Sequence, residues 1–406
     1  MKDKTIALGL ICDEITSRIC EIDNGNIGKS ENSIEVLFFL TQLMRSKILV
    51  ECGIKEREID LLIEKTLNNI VKQAMSISTN SISIMNSDLG RLAFCINEIN
   101  KNTGYCNAAL KSLNGELLRQ SLNRIKLFKK SATKDYYYDC LSGIAGALNY
   151  FLITSNIEDN LLSELVSYLV ELTECITIGK REIIGYYANY KFMNKKTGYV
   201  DFGMAHGIAG VLVALSKAYS HGVRDERLVT SMHKIVSMID EYSIKINGII
   251  RFPRRLSYKD YVGGKCTDIT VNSGWCYGNL GIVAALINAM RNIGDSSKYE
   301  KYREECILIL RQPVEYYNLD SPIICHGYGS VISMQTYLYN KTRDTAFLEN
   351  IERNLDRELD LFLKKREGIL NYGKDFSLLQ GYSGSVLSMV NAITMDLSYG
   401  RLLLME

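Results

Sequence analysis

Four side chains in this sequence combine residue types and positions that could support metal binding and proton transfer: His206, Cys276, Cys325 and His326. Zn²⁺ binds thiolate sulfur and imidazole nitrogen in a tetrahedron, and a catalytic zinc site keeps three protein ligands and one open position. Cys276, Cys325 and His326 would supply such a set. His206 is then a candidate general acid or base, because imidazole titrates near neutral pH.

The same residue types also have ordinary structural explanations. Cysteines outside disulfides are commonly small buried hydrophobic residues, the sequence has no CxxC pair, and a histidine can simply support a turn. Asp139 could orient a histidine or lie on the surface near a turn. Tyr277 could donate a phenolic hydrogen bond to an enolate or pack in the core. Residue types and spacing alone leave both explanations open.

A short glycine motif recurs along the chain and organises these candidates. Copies begin at Gly143, Gly207, Gly278 and Gly381, with an imperfect copy at Gly327. Each complete copy leads into a run of small and aliphatic residues that would face a core at helical spacing. His206, Cys276 and the pair Cys325 and His326 lie directly before or within three of these copies. Helical units that each bring a loop to the same end would gather the candidates in one place.

Composition places the chain among ordinary globular proteins of mostly helical structure. It has 406 residues, of which 47% are hydrophobic and 23% charged. The formal net charge is +2, so the charge balance does not indicate nucleic-acid binding. Three prolines stand against thirty glycines, and long stretches such as 34–50 carry apolar residues at helical spacing without a breaker. We therefore predict an all-α fold.

Cysteine usage and the lack of a recognisable targeting signal favour the cytoplasm as the cellular compartment. Eleven cysteines are present, an odd number at scattered spacings, which is not a disulfide framework and fits a reducing cytoplasm. The N-terminal apolar run is short and lacks a small-residue cleavage site. No apolar run approaches the roughly 18 residues that a membrane span needs.

Two segments interrupt the repeat pattern. Residues 177–200 are rich in Tyr, Lys and Asn, and residues 243–271 contain the sequence Arg-Phe-Pro-Arg-Arg at 251–255. Both are predicted to be loops or short strands instead of core helices. Each could be a solvated surface or the rim of a peptide-binding site.

Taken together, the motifs resemble those of the lanthionine synthetase C-like cyclases. The segments 206–210, 275–278 and 325–327 look like the three signature motifs of that family, in its order. Glycine repeats at 139–146 and 379–384 are also similar. The resemblance covers about residues 130–390 well and the first 80 residues poorly. It implies one α/α-toroid cyclase domain over 1–406, with about seven inner and seven outer helices and small non-helical insertions at 177–200 and 243–271.

The resemblance also assigns roles to the candidate residues. It implies a Zn²⁺ ion bound at one mouth of the toroid by Cys276, Cys325 and His326. The residues that would surround the metal as catalytic groups are His206, Asp139 and Tyr277, and His206 is the expected proton donor to an enolate.

This sequence departs from the family pattern at one position. The family often has an arginine four residues before the first zinc cysteine, where this chain has Asn272. Lys265 or an arginine of the segment 251–255 could supply the missing positive charge. Because precursor leader peptides are often acidic in this family, Arg254 and Arg255 are also expected to help engage the peptide.

The implied activity is a zinc-dependent Michael-type addition of peptide cysteine thiols to dehydroalanine or dehydrobutyrine, which forms lanthionine or methyllanthionine rings. The chain resembles the stand-alone cyclases, so the expected partners are a dehydrated precursor peptide, a separate dehydratase and a peptide-exporting transporter in a membrane-associated complex. The expected location is the cytoplasm, including its face of the membrane.

Three other functions are compatible with the same features. A related zinc enzyme could add glutathione or another small thiol to dehydrated residues. A non-catalytic peptide-binding toroid could hold a structural metal, although a structural zinc normally has four protein ligands. Glycan-processing toroids depend on paired carboxylates, and no such pair is found in the glycine loops.

Overall fold

The structure, a computed structural model, describes most of the chain. The described residues are 4–25, 33–44, 46–72, 82–85, 89–154, 159–178, 180–192, 195–371, 376–396 and 398–405.

Helices dominate the described residues. In chain order they are α1 (Lys4–Asp23), α2 (Ser33–Leu43), α3 (Ile48–Glu51), α4 (Glu56–Lys72), α5 (Leu89–Thr103), α6 (Asn107–Phe128), α7 (Asp135–Tyr138), α8 (Ile144–Ile153), α9 (Asp159–Glu171), α10 (Ile208–Ser220), α11 (Leu228–Glu241), α12 (Tyr258–Gly263), α13 (Asn279–Ile293), α14 (Ser296–Leu310), α15 (Tyr328–Thr342), α16 (Ile351–Asn371) and α17 (Tyr382–Thr394). The strands are β1 (Cys175–Ile178), β2 (Arg181–Ile184), β3 (Ala188–Phe192), β4 (Lys195–Asp201), β5 (Ile244–Ile246), β6 (Ile249–Arg251) and β7 (Arg255–Ser257).

The chain divides into two compact units. The first contains Met1–Gly115 and Leu319–Glu406, and the second contains Glu116–Asn318. In the first unit, α15, α16 and α17 pack against one another, and α2 packs against α4, α5 and α17. The side chains of α2 and α17 are buried along almost their whole length, as expected for helices enclosed by others.

The second unit repeats a pairing of a buried helix with an amphipathic one. The buried helices α8, α10 and α13 pack side by side, with α10 in contact with both others. Each packs against the helix that follows it, α9, α11 or α14. These following helices expose one face to solvent and bury the other, which is the pattern of helices that cover a core.

The glycine motifs lie at the start of the buried helices and fix the turns before them. Gly207 and Gly278 are the residues before the first turns of α10 and α13. The second glycine of each motif packs on a carbonyl group six residues earlier. A Cβ atom at Gly210 would lie 2.2 Å from the Met204 oxygen, and one at Gly281 would lie 2.3 Å from the Trp275 oxygen. No larger residue fits these positions without movement of the backbone.

The strands lie in the two segments predicted to be non-helical, but the prediction is wrong for part of the second segment, which also contains the short helix α12 with no buried residue. Strands β1 and β2 form a hairpin, as do β5 and β6, while β3, β4 and β7 form a three-stranded antiparallel sheet. Strand β4 belongs to the first segment and β7 to the second, and Asp201 on β4 is directly opposite Arg255 on β7. Within the segment 177–200, residues 179 and 193–194 lie outside the described residues.

No helix in the described part of the chain is long and apolar enough to cross a membrane.

Candidate active site

A hydrogen-bonded pair of a histidine and an aspartate joins two of the glycine turns. His206 precedes α10, and Asp139 lies in the turn between α7 and α8. The Nδ1 atom of His206 lies 2.6 Å from Oδ2 of Asp139. The other carboxylate oxygen, Oδ1, accepts hydrogen bonds from the backbone N–H groups of Ser142 and Gly143 at 2.7 and 2.8 Å. Backbone donors thus hold the carboxylate, and the carboxylate holds the imidazole.

The environment of His206 favours its protonated form. Burial lowers the pKa of His206, but the hydrogen bond to Asp139 and the negative charges of Asp139 and Asp201 outweigh this effect, so the pKa lies above its ordinary value. The Asp139 side chain is fully buried, while 36% of the His206 side chain is exposed. With Nδ1 bonded to Asp139, Nε2 is the nitrogen that can exchange a proton with a substrate.

A second fully buried carboxylate holds a partly exposed arginine. Oδ2 of Asp201 lies 3.3 Å from Nε of Arg255, and 43% of the Arg255 side chain is exposed. Oδ1 of Asp201 accepts the backbone N–H of Gly203 at 2.9 Å. The Arg255 guanidinium also stacks over the ring of Tyr199, with Cζ 4.5 Å from the ring centroid. The carboxylate and the aromatic face together fix the position of this cation.

The pKa of Asp201 is raised at this buried position. Burial raises its pKa from 3.8 to about 6, although the Gly203 N–H and the positive charges of Arg255 and His206 oppose the rise. The desolvation of a fully buried carboxylate therefore exceeds the stabilisation that its partners provide.

Tyr277 lies beside both pairs. Its hydroxyl donates to Oδ2 of Asp201 at 3.1 Å and lies 3.5 Å from Nη2 of Arg255. The centroid of its ring is 6.5 Å from that of His206 and 6.0 Å from Cζ of Arg255. Burial raises the pKa of Tyr277 above its ordinary value, and the charge of Asp201 adds to the increase. The predicted group of His206, Asp139 and Tyr277 is thus assembled within the second unit.

The three predicted zinc ligands are divided between the two units, two in the first and one in the second. Cys325 and His326 lie in the first unit, just before α15, and share a side-chain hydrogen bond that raises the pKa of His326. Cys276 lies in the second unit, before α13, and is buried. Among the described residues, no group of three or more His, Cys, Asp or Glu side chains is arranged as a metal site. The zinc ligand set therefore stays a prediction, but its donors have suitable chemistry, since two thiols and an imidazole are ligands that Zn²⁺ prefers.

The structure shows which of the cations near Asn272 contacts the candidate site. Lys265 and the arginines of the segment 251–255 were the candidates to supply the positive charge that is missing at Asn272. The Asn272 side chain accepts a hydrogen bond from the backbone N–H of Gly274 at 3.2 Å and so supports the turn before α13. Arg255 contacts Tyr277, whereas Arg254 forms an ion pair with Asp268 in which Nη2 lies 3.1 Å from Oδ1. Of the other two cations considered, Arg251 donates to the backbone oxygen of Val271, and Lys265 is exposed. Arg255 is the arginine of the segment 251–255 that reaches the site.

Sequence reasoning missed Asp201 and the position of Arg255. A signal was present, because Tyr199 and Asp201 are two residues apart just before the His206 motif and so share one face of a strand. The pairing of β4 with β7 could not be read from the sequence, since the two strands are separated by α10, α11 and a hairpin. That pairing places Arg255 opposite Asp201.

The repeated helix pairs and the site define a helical protein whose candidate catalytic groups lie in the turns before its buried helices. The family model described as "Lanthionine synthetase C-like protein" matches residues 53–403, and the chain belongs to this family. It is 22% identical over 357 residues to the nisin biosynthesis protein NisC of Lactococcus lactis subsp. lactis, covering 84% of this chain and 82% of the relative. A solved structure of nisin cyclase matches with a TM-score of 0.75 and 19% identity, over 99% of this chain and 98% of that one. This likeness confirms the predicted α/α-toroid fold class.

Proposed function

We propose that this protein is a zinc-dependent lanthipeptide cyclase that adds peptide cysteine thiols to dehydroalanine or dehydrobutyrine and so forms thioether rings. The observation that carries the proposal is the His206–Asp139 pair, in which a fully buried carboxylate orients a partly exposed imidazole. Family membership and the similarity to proteins named for nisin biosynthesis and nisin cyclisation support the same activity.

Cys276, Cys325 and His326 would hold the zinc ion. The hydrogen bond between Cys325 and His326 is consistent with this assignment, because it brings a soft sulfur donor next to an imidazole. A bound Zn²⁺ lowers the pKa of a thiol that reaches it and so supplies a thiolate near neutral pH.

The residues of the second unit would complete the reaction. Addition of a thiolate to the β-carbon forms the carbon–sulfur bond and moves the electrons of the double bond toward the carbonyl oxygen, which gives an enolate. The α-carbon must then receive a proton. His206 is suited to this step, because its raised pKa favours the imidazolium and Asp139 keeps Nδ1 occupied, leaving Nε2 to donate. The net reaction moves one proton from sulfur to carbon and requires no oxidant or reductant.

The proposed substrate is a dehydrated precursor peptide, so a separate dehydratase would have to act first. An exporter of the finished peptide and a location at the cytoplasmic face of the membrane belong to the same proposal.

Ring closure by the purified protein tests the activity. A peptide with one dehydroalanine and one cysteine is incubated with and without protein, and the remaining thiol is then alkylated and counted by mass spectrometry. We expect the thiol to disappear faster with protein and the peptide mass to stay unchanged. Glutathione in the mixture separates the alternatives, because a small-thiol transferase would add its mass to the peptide. No acceleration of either reaction would favour a peptide-binding scaffold and contradict the proposal.

Metal analysis tests the ligand set. We expect one zinc per chain in the wild type and loss of zinc in Cys276→Ala and in Cys325→Ala, because each change removes one of only three ligands. Cys175→Ala, at an exposed position on β1, is the matched control and should retain the metal. Full zinc occupancy in both ligand variants would refute the assignment.

A further inference from the structure

The hydrogen bonds around Tyr277 determine which group can stabilise negative charge on a substrate. A tyrosine hydroxyl has a single proton, and Tyr277 donates it to Oδ2 of Asp201. The ring of Tyr277 therefore lies in the site with its only donor already used. To donate to an enolate oxygen, Tyr277 would have to give up its hydrogen bond to a fully buried carboxylate.

Arg255 is not limited in this way. A guanidinium carries five N–H donors, and the contacts to Asp201 and Tyr277 use one each. With 43% of its side chain exposed, Arg255 can contact a bound peptide, whereas the Asp201 side chain is fully buried. Its Cζ atom lies 6.0 Å from the centroid of the same Tyr277 ring that His206 approaches. The proton donor and the cation thus border the same side chain.

Asp201 holds Arg255 through one of its five N–H donors. The carboxylate also accepts the Gly203 backbone N–H and the Tyr277 hydroxyl, so its negative charge is shared among three donors. Its contacts with Arg255, together with the Tyr199 ring, hold the guanidinium in one place. A fixed donor is the arrangement that stabilises developing charge without reorganisation during the reaction.

We propose that Arg255 stabilises the negative charge that develops on the carbonyl oxygen of the dehydrated residue when the enolate forms, and that Asp201 and Tyr199 are the residues that position it. This inference rests on the proposed function and names the charge-stabilising group of that reaction. Tyr277 then acts through Asp201 and Arg255 instead of donating to the substrate.

The role of Arg255 is tested by single-turnover rates of ring closure. These rates are measured with protein in excess over the peptide that has one dehydroalanine and one cysteine. Arg255→Gln should slow closure by roughly 10²- to 10³-fold, the usual effect of removing one donor to a developing oxyanion. Arg255→Lys keeps the charge but not the planar fork and should recover part of the rate. Tyr277→Phe should cost about tenfold or less, because it removes a hydroxyl that holds Asp201 without touching the substrate.

Arg227→Gln is the matched control, since Arg227 pairs with Asp225 just before α11 and 43% of its side chain is exposed, the same fraction as for Arg255. It should close rings at the wild-type rate. Affinity for an unreactive peptide with alanine in place of dehydroalanine provides a second readout, because an interaction made mainly in the transition state changes the rate and not ground-state binding. We expect Arg255→Gln to bind this peptide with affinity within about twofold of wild type.

The outcomes separate this inference from the activity itself. If the wild type does not accelerate closure, the proposed function fails and the inference fails with it. If the wild type closes rings but Arg255→Gln is as fast as Arg227→Gln, the inference alone is refuted. It is also refuted if Tyr277→Phe is slower than Arg255→Gln, or if Arg255→Gln weakens peptide affinity while the rate at saturation is unchanged.

Discussion

Two buried carboxylates in the second unit hold two partly exposed side chains by different means. Asp139 lies in a turn fixed by a glycine motif and holds His206, and Asp201 ends a strand and holds Arg255. In both cases one oxygen binds a backbone N–H and the other binds the functional side chain. The first arrangement depends on backbone packing that only glycine permits, and the second depends on the pairing of β4 with β7.

The difference between these two arrangements explains what could be predicted. A glycine turn leaves its signature in a short stretch of sequence, so local motifs pointed to Asp139, His206 and Tyr277, and the family resemblance then assigned their roles. The strand pair leaves no such signature, because Asp201 and Arg255 are far apart in the sequence and their partnership depends on tertiary pairing.

The largest effect is expected for His206, whose imidazole is assigned to proton transfer. His206→Asn should retain zinc and fold but slow ring closure by roughly 10²- to 10⁴-fold, which is the typical contribution of a positioned acid or base. The rate must be compared with the uncatalysed addition. His221→Asn changes an exposed histidine at the end of α10 and should have no effect. Near-normal turnover of His206→Asn would leave His206 a structural residue.

The glycine turn itself can be broken without altering a catalytic side chain. In Gly210→Ala the new Cβ would meet the Met204 carbonyl oxygen at 2.2 Å, so we expect a loss of roughly 2–4 kcal/mol in the free energy of unfolding. Gly263→Ala is the control, because nothing lies within 4 Å of its added Cβ. Urea denaturation compares the two variants. Equal stability would show that the turn tolerates a side chain.

For the fold, the helices after the glycine turns could be predicted, but the strand pairing could not. The helices after Gly207 and Gly278 were expected from the motif and the apolar runs behind it, and the structure contains both. The segments 177–200 and 243–271 were predicted as loops or short strands without a pairing, because short strands carry little periodicity. The pairing of β4 with β7 in one sheet, which positions Arg255, came from the structure.

The burial of Asp201 at the end of β4 predicts that the free energy of unfolding depends on pH. The pKa of Asp201 is about 6 in the folded protein against an ordinary 3.8, so the unfolded chain releases this proton first as pH rises. Folding stability is therefore lost between about pH 4 and pH 6, with a total cost on the order of 3 kcal/mol above that range. Asp201→Asn cannot titrate, and its free energy of unfolding should rise relative to wild type between about pH 5 and about pH 7.5, by on the order of 1 kcal/mol.

Urea denaturation of both proteins at several pH values measures this difference, in which the other titrating groups largely cancel. A constant difference across the range would mean that Asp201 keeps an ordinary pKa and that its contacts with Gly203, Arg255 and Tyr277 offset the cost of burial.

If His206 and Asp139 act as one unit in proton transfer, a double-mutant cycle on the single-turnover rate will reveal their coupling. The four proteins are wild type, His206→Asn, Asp139→Asn and the double variant. Asparagine at 139 can still accept the N–H groups of Ser142 and Gly143, so the turn should survive. The double variant should be no slower than the slower single variant, because each change disables the same pair. Losses that multiply in the double variant, or single variants with near wild-type rates, would contradict it.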